Sequence, residues 1–229
     1  MTRAPQYVEL ADVLARRWGA LAPGTMVESE HQLAEEFGVN RLTAREAVRE
    51  LERRMVVRRI MGRGTFTAHR LAYEVRLGGY ASFERNVTEL GHVPMTTVVG
   101  HGWQGRGERR RLVVERVSSV DGFAASSTTE RFPVTVATVV GDVVTSGGSI
   151  HAALVDAGFD PRRGSVDVAV AMPPAAAIER LGFSSTVLPT WHLVSETTDG
   201  PGGPVIHSSD AWMRTDVFAV TVRLAADAR

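Results

Sequence analysis

The side chains best placed for chemistry lie between positions 40 and 64. Arg41, Thr43, Arg45 and Arg49 recur on one face of a helical stretch whose other face is apolar, and Asn40 stands where a side-chain oxygen caps the helix start. Guanidinium groups and a hydroxyl in this arrangement suit hydrogen bonding to phosphates and to base edges in a major groove. Fifteen or so residues on, Gly62-Arg63-Gly64 puts one arginine between two glycines, so a backbone can approach phosphates closely and Arg63 can enter a minor groove.

Other chemistries are excluded by what the chain lacks. All 26 basic residues are arginines, so neither a pyridoxal Schiff base nor a P-loop can form. There is no cysteine, which removes disulfides, thiolate nucleophiles and cysteine metal sites. The seven histidines show no metal-binding spacing, and no nucleophile–base or carboxylate pair stands out, so the expectation is a protein without cofactor or metal and not an enzyme. No apolar run reaches membrane-spanning length and no secretory signal opens the chain, which fits a cytoplasmic location. The formal net charge is zero, but residues 1–70 carry 12 arginines against 9 carboxylates and residues 71–229 carry 14 against 17. The positive field therefore falls on the part with the candidate nucleic-acid residues.

The elements that must position these residues are legible by period. Tyr7, Leu10, Ala11, Leu14 and Trp18 mark a helix from Pro5 to Ala20, followed by a turn at Leu21-Ala22-Pro23-Gly24-Thr25. Ser29 and Gln32 form a capping box for a helix to Phe37, which Gly38 ends. A third helix runs from Arg41 to about Arg54, with Leu42, Ala44, Ala47, Val48, Leu51 and Met55 as its apolar face. Met55–Ile60, a turn at Met61–Gly64 and Thr65–Thr67 read as a hairpin. Three helices and a hairpin in this order describe a winged helix-turn-helix.

The stretch Ser29–Ala47, with Gly62-Arg63-Gly64-Thr65-Phe66 after it, resembles the DNA-binding domain of the GntR family. The resemblance implies DNA contacts at Arg41, Thr43 and Arg45 and from the wing glycine. His31 departs from the arginine common there, and Asn40 from the usual serine. The expected division is a DNA-binding domain over 1–69, an ordered linker over 70–80 and a second domain over 81–229.

In that second domain Val93–Val99, Arg111–Val120, Val166–Met172, Leu188–Thr197 and Val205–Met213 read as strands, and Asp121-Gly122 as a hairpin turn. Ser149–Gly158 and Pro174–Leu181 read as helices. The fold expected is α+β: a mostly antiparallel sheet with helices on one side. Ser82-Phe83, Arg116, Arg131-Phe132-Pro133, Ser149-Ile150, Asp199-Gly200 and Trp212–Asp216, in that order, resemble the HutC subfamily of GntR regulators. Its effector (UTRA) domain has a chorismate-lyase-like fold. The resemblance implies a homodimer on a palindromic double-stranded DNA operator, released by a small anionic effector, with a phosphonate or phosphate-like group favoured. It points to Ser82, Arg85, Arg116, Ser149 and Trp212 as effector-binding residues.

Two alternatives stay open on the residues themselves. Arg116 either holds an anion or pairs with Glu115 or Asp121 at the surface, and Ser149 either binds the anion or only caps its helix. Against the HutC resemblance, Thr128 stands where those regulators frequently have a ligand-binding glutamate, with Glu130 nearby. His101, His192 and His207 read as structural or surface residues, and Trp103, Trp191 and Trp212 as core. The rival functions are an effector-free DNA-binding protein and an enzyme of chorismate-lyase-like fold.

Overall fold

The structure is a computed structural model, and it describes residues 5–22, 24–60, 62–68, 70–76, 82–183 and 187–223. Pro23 and Met61 of the two expected turns, and residues 77–80 of the expected linker, lie outside the described residues. The chain forms two compact units. The first is Met1–Arg70 with the short segments Gly182–Leu188 and Thr215–Val217, and the second is Leu71–Leu181, Pro189–Arg214 and Phe218–Arg229.

In the first unit, helix α1 (Gln6–Gly19) buries Leu10, Ala11, Leu14 and Trp18, the stripe its period predicts. Helix α2 (Glu30–Phe37) begins at a complete capping box: Gln32 N donates to Ser29 Oγ and Ser29 N to Gln32 Oε1. It ends where Gly38 turns left-handed at φ +61°. Helix α3 (Arg41–Arg53) is capped by Asn40, whose Oδ1 accepts from Thr43 N at 2.7 Å. Ala44, Ala47, Val48 and Leu51 face the core. Leu42 does not: it is 64% exposed. Two residues before Ala44 it lies about 200° around the helix, on the solvent side.

The Asn40 cap has a measurable weight. Asn40→Ala is expected to lower stability by about 0.5–2 kcal/mol, while Asn40→Ser keeps a cap oxygen and stays near wild type. Thermal unfolding of the two variants checks this, and equal losses would show that the cap oxygen contributes nothing.

Strands β1 (Val57–Ile60) and β2 (Gly64–Thr67) pair antiparallel from Val57↔Thr67 to Ile60↔Gly64. Thr67 is buried and ties the hairpin to the segment before α2: its Oγ1 donates to Ala22 O and accepts from Thr25 N.

In the second unit, strand β3 (Leu71–Arg76) pairs in parallel with β10 (Phe218–Arg223). Six of the eleven residues expected as linker are thus a strand of this unit, a correction. The alternation was present, with Leu71, Tyr73 and Val75 buried and Ala72 and Arg76 exposed, but the partner strand is almost 150 residues away. Phe218 packs edge to face with Tyr73, 5.4 Å away at the ring centres, and with Phe83 of helix α4 (Phe83–Glu89).

The main sheet has the order β4 (Pro94–Gln104), β5 (Arg111–Val120), β6 (Phe123–Pro133), β9 (Val205–Arg214), β8 (Thr190–Asp199), β7 (Pro161–Ala171), with every neighbour antiparallel. Asp121 and Gly122 join β5 to β6 with φ +51° and +78°, the two positive angles that a two-residue hairpin requires. Helices α5 (Val134–Thr145) and α6 (Ile150–Asp156) pack their Val136, Val140, Val144 and Leu154 on Leu112, Val114 and Phe132 of β5 and β6. Helix α7 (Ala175–Arg180) uses the other face, where its Arg180 pairs with Glu115, the residue turned away from Arg116. The helices therefore do not all lie on one side.

Candidate functional sites: a DNA-binding surface and a polar cavity

The α2–turn–α3 geometry leaves the start of α3 open. Arg41 is exposed and Thr43 half-buried. Arg45 has 46% of its side chain exposed. Arg49 is held by Glu46 at 2.7 Å on the same helix. Asn40 spends its oxygen on the cap, which fixes where α3 begins. In the hairpin turn Gly62 and Gly64 take φ +71° and +122°, which a side chain would strain, and Arg63 is exposed at the tip.

One residue of this surface escapes sequence reading. Glu30, the first residue of α2, accepts from Arg45 of α3 with one oxygen and from Arg59 of β1 with the other. Burial acts to raise its pKa, but the two guanidinium partners outweigh it and hold the carboxyl below its ordinary value. The only sequence signal was an acidic residue in a first helical turn, which is read as a helix-dipole preference.

The second site is a cavity of about 90 Å³ in the second unit. A strand alternates its side chains, so the face that is apolar beneath α5 and α6 continues as one of different character beyond them. On β5 Leu112 and Val114 give way to Arg116 and Ser118, and on β6 Phe132 gives way to Glu130, Thr128 and Ser126. The β6–β9–β8 register sets Glu130, Ser209 and Ser195 in one row. Arg163, His207 and, from α4 and its cap, Ser82 and Glu84 complete much of the wall. Tyr73 also lines it, and burial pushes its phenol up to about 12, so it stays uncharged.

Arg116 is 4% exposed. Its Nη2 donates to Val144 O at 2.6 Å and Gly148 O at 3.0 Å, and its buried Nε has no acceptor among the described residues. The surface pairing with Glu115 or Asp121 is therefore overturned. Glu130 and His207 are also buried: His207 Nε2 lies 2.6 Å from Glu130 Oε2, Thr197 Oγ1 lies 3.3 Å from Nδ1, and Phe132 stacks on the ring.

Of the five residues expected to bind an effector, Ser82 and Arg116 line the cavity and three do not. Arg85 points to Glu89 on its own helix and is 61% exposed. Ser149 caps α6 by accepting from Ala152 N, and Arg116 meets this helix start through the Gly148 carbonyl rather than through free amides. Trp212 stacks on His192 at 3.9 Å on the opposite face of the sheet, because Met213 next to it turns into the cavity. Trp103 is likewise no core residue: it is 44% exposed beneath Arg110. His207 is the converse case, a histidine read as structural that lines the cavity. Among the described residues no His, Asp and Glu cluster could hold a metal ion, and no helix is long and apolar enough to cross a membrane.

A three-helix unit with an open arginine-bearing helix and a glycine-tipped hairpin is a winged helix-turn-helix DNA-binding domain. Residues 16–67 match the family described as bacterial regulatory proteins, gntR family. The HTH-type transcriptional repressor NagR of Bacillus subtilis is 32% identical over 99 residues, which cover 42% of this chain and 40% of NagR. The mannosyl-D-glycerate transport/metabolism system repressor MngR of Escherichia coli is 35% identical over 78 residues, 33% of this chain and 32% of MngR. The match thus spans less than half the length of either relative. The fold extends further: PhnF from Mycobacterium smegmatis superposes with a TM-score of 0.63 over 95% of this chain and 99% of PhnF, at 23% identity. Its effector domain alone gives 0.57 over 66% of this chain and all of that domain, at 19% identity.

Proposed function

We propose that this chain is a transcription repressor of the HutC type, which binds a palindromic operator as a homodimer and is released by a small molecule bound in the cavity of its UTRA-like domain. The observation that carries the reading is the open start of α3, with Arg41 and Arg45 beside a glycine-tipped wing in a GntR-family domain. One recognition helix reads only a few base pairs, so tight binding calls for two copies on two half-sites. The buried, incompletely satisfied Arg116 in a polar cavity supports a negatively charged group on the effector. The neighbours named repressors support that direction of control. Such a protein acts in the cytoplasm, on an adjacent transport or catabolic operon.

The test begins with selection of bound duplexes from a random pool. The expected product is an inverted repeat whose half-site centres lie about one helical turn or a multiple of it apart. Sedimentation of the complex should give two chains per duplex. Asymmetric selected sites bound tightly by a single chain would overturn the dimer, and no enrichment at all would overturn the regulator.

A further inference from the structure

The cavity holds two side chains of opposite formal charge that are not ion-paired with each other. Arg116 on β5 lies opposite Thr128, and Glu130 is two residues further along β6, which makes the two diagonal neighbours on one face. Their backbones are about 7–8 Å apart in such a pairing. Both side chains are more than nine-tenths buried. Each has other partners: Arg116 bonds only to the neutral Val144 and Gly148 carbonyls among the described residues, and Glu130 to His207. A buried charge is costly unless it is matched by an opposite one. Arg116 also keeps a buried Nε–H without an acceptor.

The rest of the wall narrows the choice. Arg163 and Glu84 add one further charge of each sign, so the formal charges of the lining cancel. A compact dianion would gain the arginines but face two carboxylates in a poorly solvated space. A neutral polyol would leave the Arg116 charge uncompensated. The volume of about 90 Å³ is smaller than the ~150 Å³ cavity that takes up benzene, so the enclosed part of the ligand is small.

We propose that the cavity recognises a small zwitterion, an amino-carboxylate or amino-phosphonate whose charges are separated by a short carbon chain, with its anionic end on Arg116 and its ammonium end on Glu130. This deepens the effector reading above and rests on that cavity being the effector site. Ser209 and Ser195, in one row with Glu130, supply acceptor oxygens for the remaining ammonium protons, and Ser118 with Ser126 supply hydroxyl donors for the anion.

The experiment is calorimetric titration of the full chain, without DNA, with matched probes: β-alanine against propionate, and 2-aminoethylphosphonate against ethylphosphonate, with glycerol as the neutral polyol. The aminated member of at least one pair is expected to bind on the order of 10–100-fold more tightly than its partner. In Glu130→Gln this preference should vanish while the unaminated anion still binds. The proposal is overturned if the unaminated anions bind as well as the aminated ones, if only glycerol binds, if no probe binds, or if Glu130→Gln keeps the preference. The wild-type pairs decide the matter even if that variant fails to fold. A zwitterion that binds as expected but leaves operator affinity unchanged supports the cavity assignment and refutes only the switch.

Discussion

Replacing Arg116 with alanine is expected to lower the melting temperature by about 5–15 °C, well beyond the effect of an ordinary surface change. The guanidinium is almost wholly buried and donates to Val144 O at the end of α5 and to Gly148 O just before α6. Its loss strips two carbonyls of their donor and leaves the space of a long side chain. An unsatisfied buried polar group costs about 1–3 kcal/mol, so a loss of roughly 2–5 kcal/mol follows. Arg116→Lys should fall between, because a single ammonium is a poorer match for two divergent acceptors than a planar fork. Thermal unfolding by circular dichroism reads both. An alanine variant that melts with the wild type would mean that the two carbonyls find other donors, and that Arg116 is not the tie between the sheet and the α5–α6 connection.

The second large effect concerns DNA. The double variant Arg41→Ala/Arg45→Ala is expected to weaken operator binding on the order of 10²–10⁴-fold, since each base-edge contact is worth about 1–3 kcal/mol. Fluorescence anisotropy with a selected duplex and a scrambled one, each at several salt concentrations, separates the ways this can happen. Loss confined to the selected duplex assigns the arginines to base edges. Equal loss on both duplexes, with the salt dependence shallower by about one per lost contact, assigns them to phosphates. Unchanged affinity on both would remove the start of α3 from the interface.

The first unit was legible because its signals are local. The Ser29–Gln32 box, the Asn40 cap, the left-handed Gly38 and the stripe from Leu10 to Trp18 each lie within a few residues of what they control. The second unit was legible where hairpins are tight, as at Asp121-Gly122. Sequence pattern assigns no element to 134–145, a run dominated by valine and threonine, yet it folds as α5. Its burial at Val136, Ala137, Val140 and Val144 has the helical period, and packing prevails over propensity. Strands β3 and β10 stayed hidden because their pairing joins distant parts of the chain.

The cavity was the least legible part, for a geometric reason. Its lining is gathered from strands that are adjacent in the sheet but not in sequence, and within each strand a shift of one residue reverses the face. The family resemblance points to Arg116 and Ser82, which line the cavity, but also to Trp212, one position from the cavity-facing Met213. Glu130 and His207, 77 positions apart, meet only because β6 and β9 are neighbours.

The Glu30 carboxylate has a consequence for anyone who would transplant the proposed DNA-binding surface into another scaffold. It holds an arginine of α3 and an arginine of the hairpin with its two oxygens. The portable unit is therefore not the helix Arg41–Arg53 alone but that helix together with Glu30 and Arg59. Grafted by itself, the helix would carry Arg45 into a host with no counter-charge to orient it, and the side chain would sample several rotamers before meeting DNA. The chimera would bind duplexes of many sequences through bare positive charge, whereas transfer of all three pieces would carry the discrimination with it.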